Sequence, residues 1–522
     1  MNRSLEPNHS ESSSTAVSTA MPATSICWRI VAISVLMAFG LYLTRVSLGE
    51  VVKSDSFLND AQIVASPSTR FSVELTAVND AEQVAQFVAK VQESNNSSRS
   101  ASQLKVPMTL RDDLTREAAL QLLQQAEAAG ASGYVRISKQ QIGSVLGVFF
   151  FTYALFQVPS GWFSDRLGAR KVLAVYILLW SLLTAYTGMV TSVLGLLLAR
   201  LLFGFAQAGA YPTSSAIVRR WFPIDKRGLA SGLISFGGRF GATAAPFLTM
   251  WLILHLSGWR ITLFLYGVAG ILIAVGYYLI VRDRPSEHPA CNEAERKWIG
   301  TPTDDRRPTL LDVFQVVGKC AINRSLWLNS LGQFCVNIGW AFLVTWLPTY
   351  LKEVQKVPEQ QGALMVSIVL ATGMLGQLLG GRAADWSVKR FGLRFGRVLP
   401  ITTAYFIAGF SYLGCLTIDS AWGIVACCAV VSMMTDVGNP SIWGFMQDVG
   451  GRNTGSIFGW ANMWGNFGAA VSAKIVPLLM VYGSSTGSGQ GLVFMMCAGA
   501  FFVAGLAALG MDATKPLKVG SV

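Results

Sequence analysis

Charged residues are scarce in this chain of 522 residues: Asp, Glu, Lys and Arg make up 13% of it, against about 25% in a soluble domain. Only three His are present, and they are scattered along the chain. The eight Cys lie mostly in apolar stretches and lack the spacing of metal ligands. These shortages exclude a soluble multidomain protein, a disulfide scaffold and a histidine-based metal or catalytic site.

Apolar sequence is abundant instead. Hydrophobic residues make up 52% of the chain, and its mean hydropathy is +0.45. Twelve segments have the roughly 20 predominantly apolar residues that a membrane-crossing helix needs, and no alternating pattern typical of membrane strands recurs. We therefore expect an all-α membrane protein. The segments are 26–48, 142–164, 172–192, 194–218, 228–254, 260–281, 325–350, 360–385, 397–417, 421–446, 455–481 and 489–511.

The positive charge of the chain is placed asymmetrically. Its formal net charge is +12, and the short loops 165–171, 219–227 and 382–397 hold twelve of its Lys and Arg residues, against three in the short loops on the other side. Basic short loops face the cytoplasm in membrane proteins. We expect a plasma (inner) membrane protein with both termini cytoplasmic. The lipid bilayer, and not nucleic acid, is the expected partner of these charges.

A polar linker divides the predicted spans six and six. A similar sequence follows the second span of each half: Gly161-Trp-Phe-Ser-Asp165-Arg166-Leu-Gly-Ala-Arg170-Lys in the first and Gly381-Arg-Ala-Ala-Asp385-Trp-Ser-Val-Lys389-Arg390 in the second. Such a repeat indicates two parallel bundles with a cleft between them. The expected units are a cytoplasmic tail 1–25, a bundle 26–281 with an extracytoplasmic insert 49–141, a cytoplasmic linker 282–324, a bundle 325–511 and a tail 512–522.

On these motifs the sequence resembles the major facilitator superfamily of transporters, and within it most closely the anion:cation symporter family. Five further segments carry the second resemblance: Trp28-Arg-Ile through Tyr42-Leu-Thr-Arg45-Val, Gln157-Val-Pro-Ser-Gly161-Trp, Arg219-Arg-Trp-Phe-Pro223-Ile-Asp-Lys-Arg227-Gly, Thr345-Trp-Leu-Pro-Thr-Tyr350, and Asp448-Val-Gly-Gly-Arg452-Asn-Thr-Gly-Ser with Asn462-Met-Trp-Gly-Asn466.

The resemblance implies two six-helix bundles that carry a small organic anion by alternating access, without a cofactor. A sugar acid, such as a hexuronate or an aldonate, is the first expectation for this substrate. An organophosphate or dicarboxylate exchanger is an alternative, and a transporter-like solute sensor is an alternative of another class. No nucleophile–base pair, metal cluster or nucleotide loop indicates an enzyme.

Two departures from the family bear on coupling. The family usually has an acid before the arginine of helix one and a Glu in helix four, whereas this chain has Thr44 before Arg45 and Gln207 in the fourth span. Thr and Gln form hydrogen bonds but do not titrate near neutral pH. We therefore expect atypical or absent proton coupling, and the coupling ion stays open.

Five charged residues lie well inside the predicted spans, away from the span ends, where a charge costs about 2.5–3.5 kcal/mol and usually faces a cavity or a partner. By resemblance Arg45 binds the substrate anion, because an arginine fork matches a carboxylate. Arg239 is either a second anion contact or the partner of an acid such as Asp436. Asp436 itself is either a proton carrier or a fixed partner. Lys474 either lines the cavity or reaches the outer face. Arg200 resembles a structural or gating position, with direct substrate contact as the alternative.

Uncharged polar residues are expected to complete the site. Tyr153 and Gln157 lie four residues apart, which predicts one shared helix face. The alternative for each candidate is a hydrogen bond between helices, worth about 0.6 kcal/mol on average. The substrate-binding candidates beside Arg45 and Arg239 are Tyr153, Gln207, Trp443, Asn462 and Asn466, and the coupling or charge-pair candidates are Thr44, Asp436 and Lys474.

The repeated loop motif predicts gating contacts between helices that break when the carrier opens inward, with orientation charge alone as the alternative. Its residues are Gly161, Asp165, Arg166, Arg170, Asp385, Lys389 and Arg390.

The insert 49–141 has nine basic and eleven acidic residues and is long for this family. The stretches 79–93 and 112–129 are predicted to be short helices, the second with Leu114, Ala118 and Leu122 on one stripe. A flexible joint is predicted from Ser94 to Ser102. A small helical cap and a poorly ordered insert both remain open.

Overall fold

The structure is a computed structural model that describes residues 23–91, 106, 108–256, 258–300, 310–486 and 491–517. The chain begins with a long apolar helix and continues into an insert of short helices and strands. These elements are α1 (Ile26–Val51), α2 (Asp55–Leu58), α3 (Ala61–Ala65), β1 (Phe71–Val78), α4 (Ala81–Val91), β2 (Met108–Leu114), α5 (Arg116–Ala128) and β3 (Ala131–Ile137).

Seven helices follow the insert, and with α1 they form what we call the first helix set. They are α6 (Lys139–Leu155), α7 (Gln157–Leu167), α8 (Ala169–Thr187), α9 (Val193–Ala208), α10 (Ala210–Trp221), α11 (Arg227–His255) and α12 (Trp259–Ile280). We call the end at which α1 stops the insert side, and the end at which α12 stops the linker side.

The linker contains two helices, and the second helix set follows it. The linker helices are α13 (Glu293–Ile299) and α14 (Leu310–Ile322). The second set is α15 (Arg324–Ala341), a π-helical turn (Phe342–Trp346), α16 (Leu347–Glu353), α17 (Glu359–Gly414), α18 (Ala421–Gly450), α19 (Thr454–Thr486) and α20 (Gly491–Leu509).

Eight helical stretches of the described residues are long and apolar enough to cross a membrane, and a ninth is obtained if the bent pair α6–α7 is one span. The long helix α17 is two helices joined at Gly392, whose φ of 73° is not helical. Glycine adopts this left-handed conformation without steric cost. The predicted helical membrane fold is therefore correct in its main feature.

The second predicted span is bent by 49° between α6 and α7. Pro159 has no N–H to donate to the C=O of Leu155, and its ring crowds that carbonyl, which breaks a helix. Tyr153 on α6 and Gln157 on α7, predicted to share one helix face, therefore lie on either side of the bend at Phe156.

The insert corrects the all-α prediction. Its three strands form an antiparallel sheet in the order β2-β1-β3. Val73 and Leu75 of β1 are fully buried with Val84 and Val88 of α4. The helix expected over 112–129 is a strand up to Leu114 and a helix from Arg116. The expected joint at Ser94–Ser102 lies outside the described residues.

A half-buried ion pair docks the insert onto the first helix set. Arg260, at the start of α12, donates from Nε and Nη2 to the Asp60 carboxylate over 2.9 and 3.0 Å. Its Nη1 donates to the C=O groups of Gly188 and Val190. Partial burial opposes the ionisation of Asp60, but the bonds from Arg260 outweigh it and hold the pKa of this carboxyl below its usual value.

We expect Arg260→Ala to loosen the insert, because hydrogen bonds to charged groups are worth about 1.5–3 kcal/mol. Amide hydrogen exchange in α3 should rise by about tenfold or more. Arg70→Ala is the control, since Arg70 and Asp113 are exposed and 3.8 Å apart. Equal exchange in α3 in both variants would contradict the docking role.

Docking of the insert should also depend on pH. Since the pKa of Asp60 is lower in the folded state, docking is intact at neutral pH and weakens as pH falls below about 4.

The linker closes on the beginning of α1. The N-cap Ser25 gives this helix no side-chain hydrogen bond, and Glu295 of α13 supplies the missing acceptor. Its carboxylate accepts the N–H of Ile26 over 3.2 Å and of Cys27 over 2.9 Å, and the hydroxyl of Thr24. Burial opposes ionisation of Glu295, but these donors outweigh it and lower its pKa. A negative charge at this helix end is also favourable for the helix dipole.

Candidate functional site

The side chain of Arg45 reaches across from α1 to α6 and α9. Its Nε donates to Oε1 of Gln207 over 3.0 Å. Its guanidinium carbon lies 4.5 Å from the ring centres of both Tyr42 and Tyr153. Two aromatic faces and one amide thus hold the cation in one orientation. Arg45, Gln207 and Tyr153, three of the predicted site residues, are brought together.

Thr44 and Gln207 form a neutral network beside this cation. Nε2 of Gln207 donates to the C=O of Leu41 over 3.0 Å and to Oγ1 of Thr44 over 3.2 Å. The Thr44 hydroxyl in turn donates to the C=O of Gly40 over 2.9 Å. The two residues that stand where the resembling family has acids therefore contact each other and Arg45, and neither contributes a charge.

A second arginine lies against the first. Arg200 of α9, which is 4% exposed, donates from Nη2 to the backbone C=O of Arg45 over 3.3 Å. Within the described residues, Nη2 of Arg45 and Nε of Arg200 are buried and have no hydrogen-bond partner. Unpaired buried donors are rare in proteins. Two cationic groups with free N–H donors form a site that favours an anion.

Aromatic side chains connect this site to the second helix set. The ring of Tyr211 on α10 lies 6.1 Å from that of Tyr42 and meets Trp443 of α18 edge to face at 5.1 Å. Trp443 also packs edge to face on Phe458 of α19 at 4.7 Å. The predicted site residue Trp443 is 4% exposed, so it lies next to the tyrosines as part of the wall between the two helix sets.

Arg239 and Asp436 form an ion pair between α11 and α18. Nη2 of Arg239 donates to Oδ1 of Asp436 over 2.6 Å. The guanidinium carbon lies 4.7 Å from the ring centre of Trp340 on α15. Of the alternatives that the sequence left open for Arg239, pairing with Asp436 is the one present in this structure.

The remaining predicted residues stand apart from the Arg45 group. Nδ2 of Asn466 donates to the backbone C=O of Asn462 one turn earlier on α19, and both residues are half-buried. Lys474 is exposed, and no hydrogen bond of its ammonium is recorded among the described residues. The structure brings none of the three into contact with Arg45 or Arg239.

Two interfaces near the linker side repeat the same arrangement. Gln157, Gly161 and Asp165 on α7 have the spacing of Gln377, Gly381 and Asp385 on α17. The α7 residues pack on the Gly455 end of α19, and the α17 residues pack on the Gly228 end of α11. At Gly161 a Cβ atom would collide with the C=O of Gly455. At Gly228 it would lie 2.7–2.8 Å from Asp385, Ala384 and the C=O of Gly381.

The two motif aspartates cap helices of the opposite set. Asp165 accepts the N–H groups of Gly455 and Ser456 over 2.9 and 2.8 Å, at the start of α19. Asp385 accepts those of Gly228 and Leu229 over 2.8 and 2.9 Å, at the start of α11. A carboxylate on the free N–H groups of a helix start also complements its dipole. Both contacts cross between the sets and close the linker side.

The basic motif residues make contacts both within and between the helix sets. Arg166 lies over the ring of Trp162 on its own helix. Arg170 donates to the C=O of Tyr278 at the end of α12 and, through its backbone N–H, to Asp283. Lys389 pairs with Asp225 over 3.1 Å, and Arg390 is exposed.

One acid of the linker side was missed from the sequence. Asp448, at the end of α18, pairs with Arg227 of α11 over 2.6 Å and with Arg397 of α17 over 2.8 Å. Arg397 also donates to the C=O of Ile224. In the sequence, Asp448 stands out only as the first residue of a family-like segment. Its partners are far apart in sequence, so that only the packing of the helices identifies them.

Comparisons with known proteins agree with this geometry. Residues 101–473 match the Major Facilitator Superfamily. The chain is 29% identical to the probable sulfoacetate transporter SauU of Cupriavidus necator, over 72% of this chain and 85% of that protein. It is 28% identical to the probable galactarate/D-glucarate transporter GudP of Escherichia coli, over 67% of this chain and 80% of that protein. The crystal structure of the human organic anion transporter MFSD10 shares the fold, with a TM-score of 0.58 at 14% identity over 92% of this chain and 99% of that chain.

These helices and matches define a multi-pass integral membrane protein with the fold of a transporter. The chain belongs to the Major Facilitator Superfamily. Because this family and the relatives above are transporters, the chain is a transporter and not an enzyme.

Proposed function

We propose that this protein is a secondary transporter that carries a small organic anion by alternating access. The observation that carries the proposal is the pair of arginines with free donors. Arg45 is half-buried and Arg200 is buried, both are cationic, and each has one buried N–H group without a hydrogen-bond partner in the described residues. An anion that bonds to both would neutralise charge that otherwise costs free energy inside a membrane.

Twelve spans in two six-helix bundles are the architecture that we infer. The pair α6–α7 makes one bent span and the pair α9–α10 makes one span, α17 makes two spans joined at Gly392, and α18 and α19 are separate spans. The 29-residue α11 is a further span, since its length exceeds the about 20 residues needed. The two bundles are then 26–281 and 325–511, with the linker 282–324 between them.

The orientation follows from the basic loops. The linker side carries the motif arginines and lysines, so we infer that this side and both termini are cytoplasmic. The insert 49–141 is then extracytoplasmic, and the protein is placed in the plasma (inner) membrane. The motif contacts of Asp165 and Asp385 would hold the carrier closed toward the cytoplasm and would break when it opens inward.

A sugar acid, such as a hexuronate or an aldonate, is the substrate class that we put first. The relatives reported above support an acid substrate: one is named for galactarate and D-glucarate and another for sulfoacetate. Tyr153 and Trp443 would face the sugar carbons, and Gln207, Arg239, Asn462 and Asn466 are the further candidates for contacts. A dicarboxylate or organophosphate exchanger is the second reading, since several cations suit a more anionic substrate.

We do not expect proton coupling through α1 and α9, because Thr44 and Gln207 are neutral and form a hydrogen bond to each other. Lys474 stays a candidate for positive charge along the pathway. A transporter-like solute sensor is the alternative of another class, because the folded insert could contact a partner protein.

Uptake into proteoliposomes tests the proposal. The purified full chain is given radiolabelled D-galactonate, D-glucuronate, D-glucarate, sulfoacetate, succinate or glucose 6-phosphate, in separate experiments. We expect saturable uptake of at least one carboxylate sugar acid, inhibited by the others. Uptake of glucose 6-phosphate or succinate alone would favour the exchanger reading. Saturable binding of an anion without uptake would favour the sensor and contradict a transporter.

A further inference from the structure

The ion pair between Arg239 and Asp436 lies deep within the membrane-spanning region. Asp436 stands midway between Ala421 and Gly450, the ends of α18, with about 20 Å of helix on either side. The side chain of Asp436 is 3% exposed, whereas that of Arg239 is 22% exposed. Arg239 is therefore the member of the pair that a ligand between the two helix sets can reach.

The carboxylate of Asp436 occupies a slot formed by small residues of α17. A Cβ atom on Gly373 would lie 2.6 Å from Oδ2 of Asp436, and one on Gly376 would lie 3.1 Å from its Cβ. Gln377, one turn further along α17, accepts at its Oε1 from Nδ2 of Asn439 over 3.2 Å. The close packing of α17 fixes the Asp436 carboxylate in one position. A carboxylate that gains and loses a proton in every transport cycle needs such a fixed position.

The charges of Arg239 and Arg45 both act on the same two tyrosines, Tyr42 and Tyr211. A Cβ atom on Gly238, the residue before Arg239, would collide with the hydroxyl of Tyr211 and touch the ring of Tyr42. The ring of Tyr42 also stacks on Arg45. An anion that is held by Arg45 is therefore near the second guanidinium as well.

Few ionisable groups face this carboxylate. From α11 it meets Arg239, and from α17 it meets Tyr405 along with the neutral Gln377. Tyr42 of α1 and Tyr211 of α10 face the guanidinium of Arg239, and α15 contributes the uncharged ring of Trp340. Within the described residues, Asp436 thus has one cationic partner. If Arg239 is drawn away, the negative charge of Asp436 is left uncompensated.

Resting on the proposed function, we propose that Asp436 carries the coupled proton of this transporter, and that the substrate anion causes proton uptake by replacing Asp436 on Arg239. While paired with Arg239, the carboxylate is ionised. When a substrate carboxylate takes the guanidinium, Asp436 is left buried beside a second anion, which is costly. A proton from the open side neutralises it, and the carrier then moves one proton with each anion. Release of the anion frees Arg239, the proton leaves, and the ion pair forms again.

The test compares gradient-driven uptake with exchange in Asp436→Asn proteoliposomes. The probes are radiolabelled D-galactonate and, in parallel, D-glucarate, with the membrane potential clamped at zero by potassium and valinomycin. An inward gradient of about 1.5 pH units should let wild type accumulate the probe up to about thirtyfold, for one proton per anion. Asp436→Asn should keep counterflow of the preloaded probe, which needs no net proton movement, and lose the accumulation.

Tyr405→Phe is the matched control, because it removes the other titratable group that faces the carboxylate and keeps the ring. Its accumulation should equal that of wild type. A second measurement does not depend on any variant: addition of probe to wild type in weakly buffered detergent solution should take up about one proton per anion bound, read with a pH dye. This measurement decides the matter if Asp436→Asn fails to fold.

The inference and the proposed function fail in distinguishable ways. If wild type exchanges a probe but shows neither accumulation nor proton uptake, or if Asp436→Asn still accumulates it, Asp436 is a fixed partner of Arg239 and the inference is wrong. The proposed function then stands. If wild type binds and exchanges neither probe nor any other acid of the uptake panel, the proposed function fails and the inference fails with it.

Discussion

Arg45→Ala is expected to reduce the counterflow of organic anions about a hundredfold while the protein still folds. The guanidinium has free donors and no acid partner in the described part of the chain, so its removal leaves no buried carboxylate uncompensated. A buried charge-assisted contact to a carboxylate is worth about 2–5 kcal/mol, and tenfold in affinity corresponds to about 1.4 kcal/mol. Counterflow of radiolabelled D-galactonate and D-glucarate in proteoliposomes measures the effect.

The control for this prediction is Arg29→Ala, the same substitution on the same helix. Arg29 is exposed near the start of α1, and its removal should leave counterflow within about twofold of wild type. Arg45→Lys should fall between the two, because lysine keeps the charge but not the planar fork. Equal counterflow in wild type and Arg45→Ala would remove Arg45 from the site.

Gly161→Ala is expected to abolish most transport by preventing closure of the linker side. A Cβ atom at this position would collide with the C=O and backbone of Gly455, and backbone cannot move aside as a side chain can. The two helices must separate, and the bonds from Gly455 and Ser456 to Asp165 are then lost. We expect a loss of transport of at least about tenfold, corresponding to a penalty of about 1–3 kcal/mol on the closed state.

Amide hydrogen exchange reads this effect directly. The N–H groups of Gly455 and Ser456 are bonded to Asp165 in wild type, and they should exchange faster in Gly161→Ala. Gly147→Ala on α6 is the matched control, since a Cβ atom there has nothing within 4 Å. Unchanged exchange at the start of α19 in Gly161→Ala would show that this close approach does not govern closure.

The membrane helices could be predicted because apolar segments of about 20 residues cross lipid as α-helices. Each backbone polar group must be satisfied within the segment, and a helix does this. The bend in the second span was also present as a signal, since Pro159 removes the N–H that the C=O of Leu155 needs. It was missed because the apolar pattern runs through it without interruption.

In the insert, two sequence signals for a strand and for a helix start were not recognised. Val73 and Leu75 alternate with Ser72 and Glu74 in β1, which is the period of a strand. Thr115 accepts the N–H of Ala118, so that a helix cap stands where the sequence had placed the interior of a helix. Both signals are present in the sequence, but in short segments next to helices the same residues also fit a helical pattern.

The charged residues of the site were found because charge is rare in such helices, but their partners were not all predictable. The sequence named Arg239 and Asp436 as a conceivable pair because each is isolated in its span. Asp448 joins two arginines that are 221 and 51 residues away, and nothing local indicates this. Its role depends on how three helices pack, which no single segment encodes.

The central claim is that this chain carries organic anions by alternating access, and counterflow tests it most directly. Proteoliposomes with the purified wild-type chain are loaded with unlabelled D-galactonate or D-glucarate and diluted into a trace of the same labelled anion. A carrier that exposes one site alternately to each side should accumulate the label transiently above its equilibrium level, with empty and protein-free vesicles showing none. No transient accumulation of either anion, in vesicles shown to contain folded protein, would contradict the account.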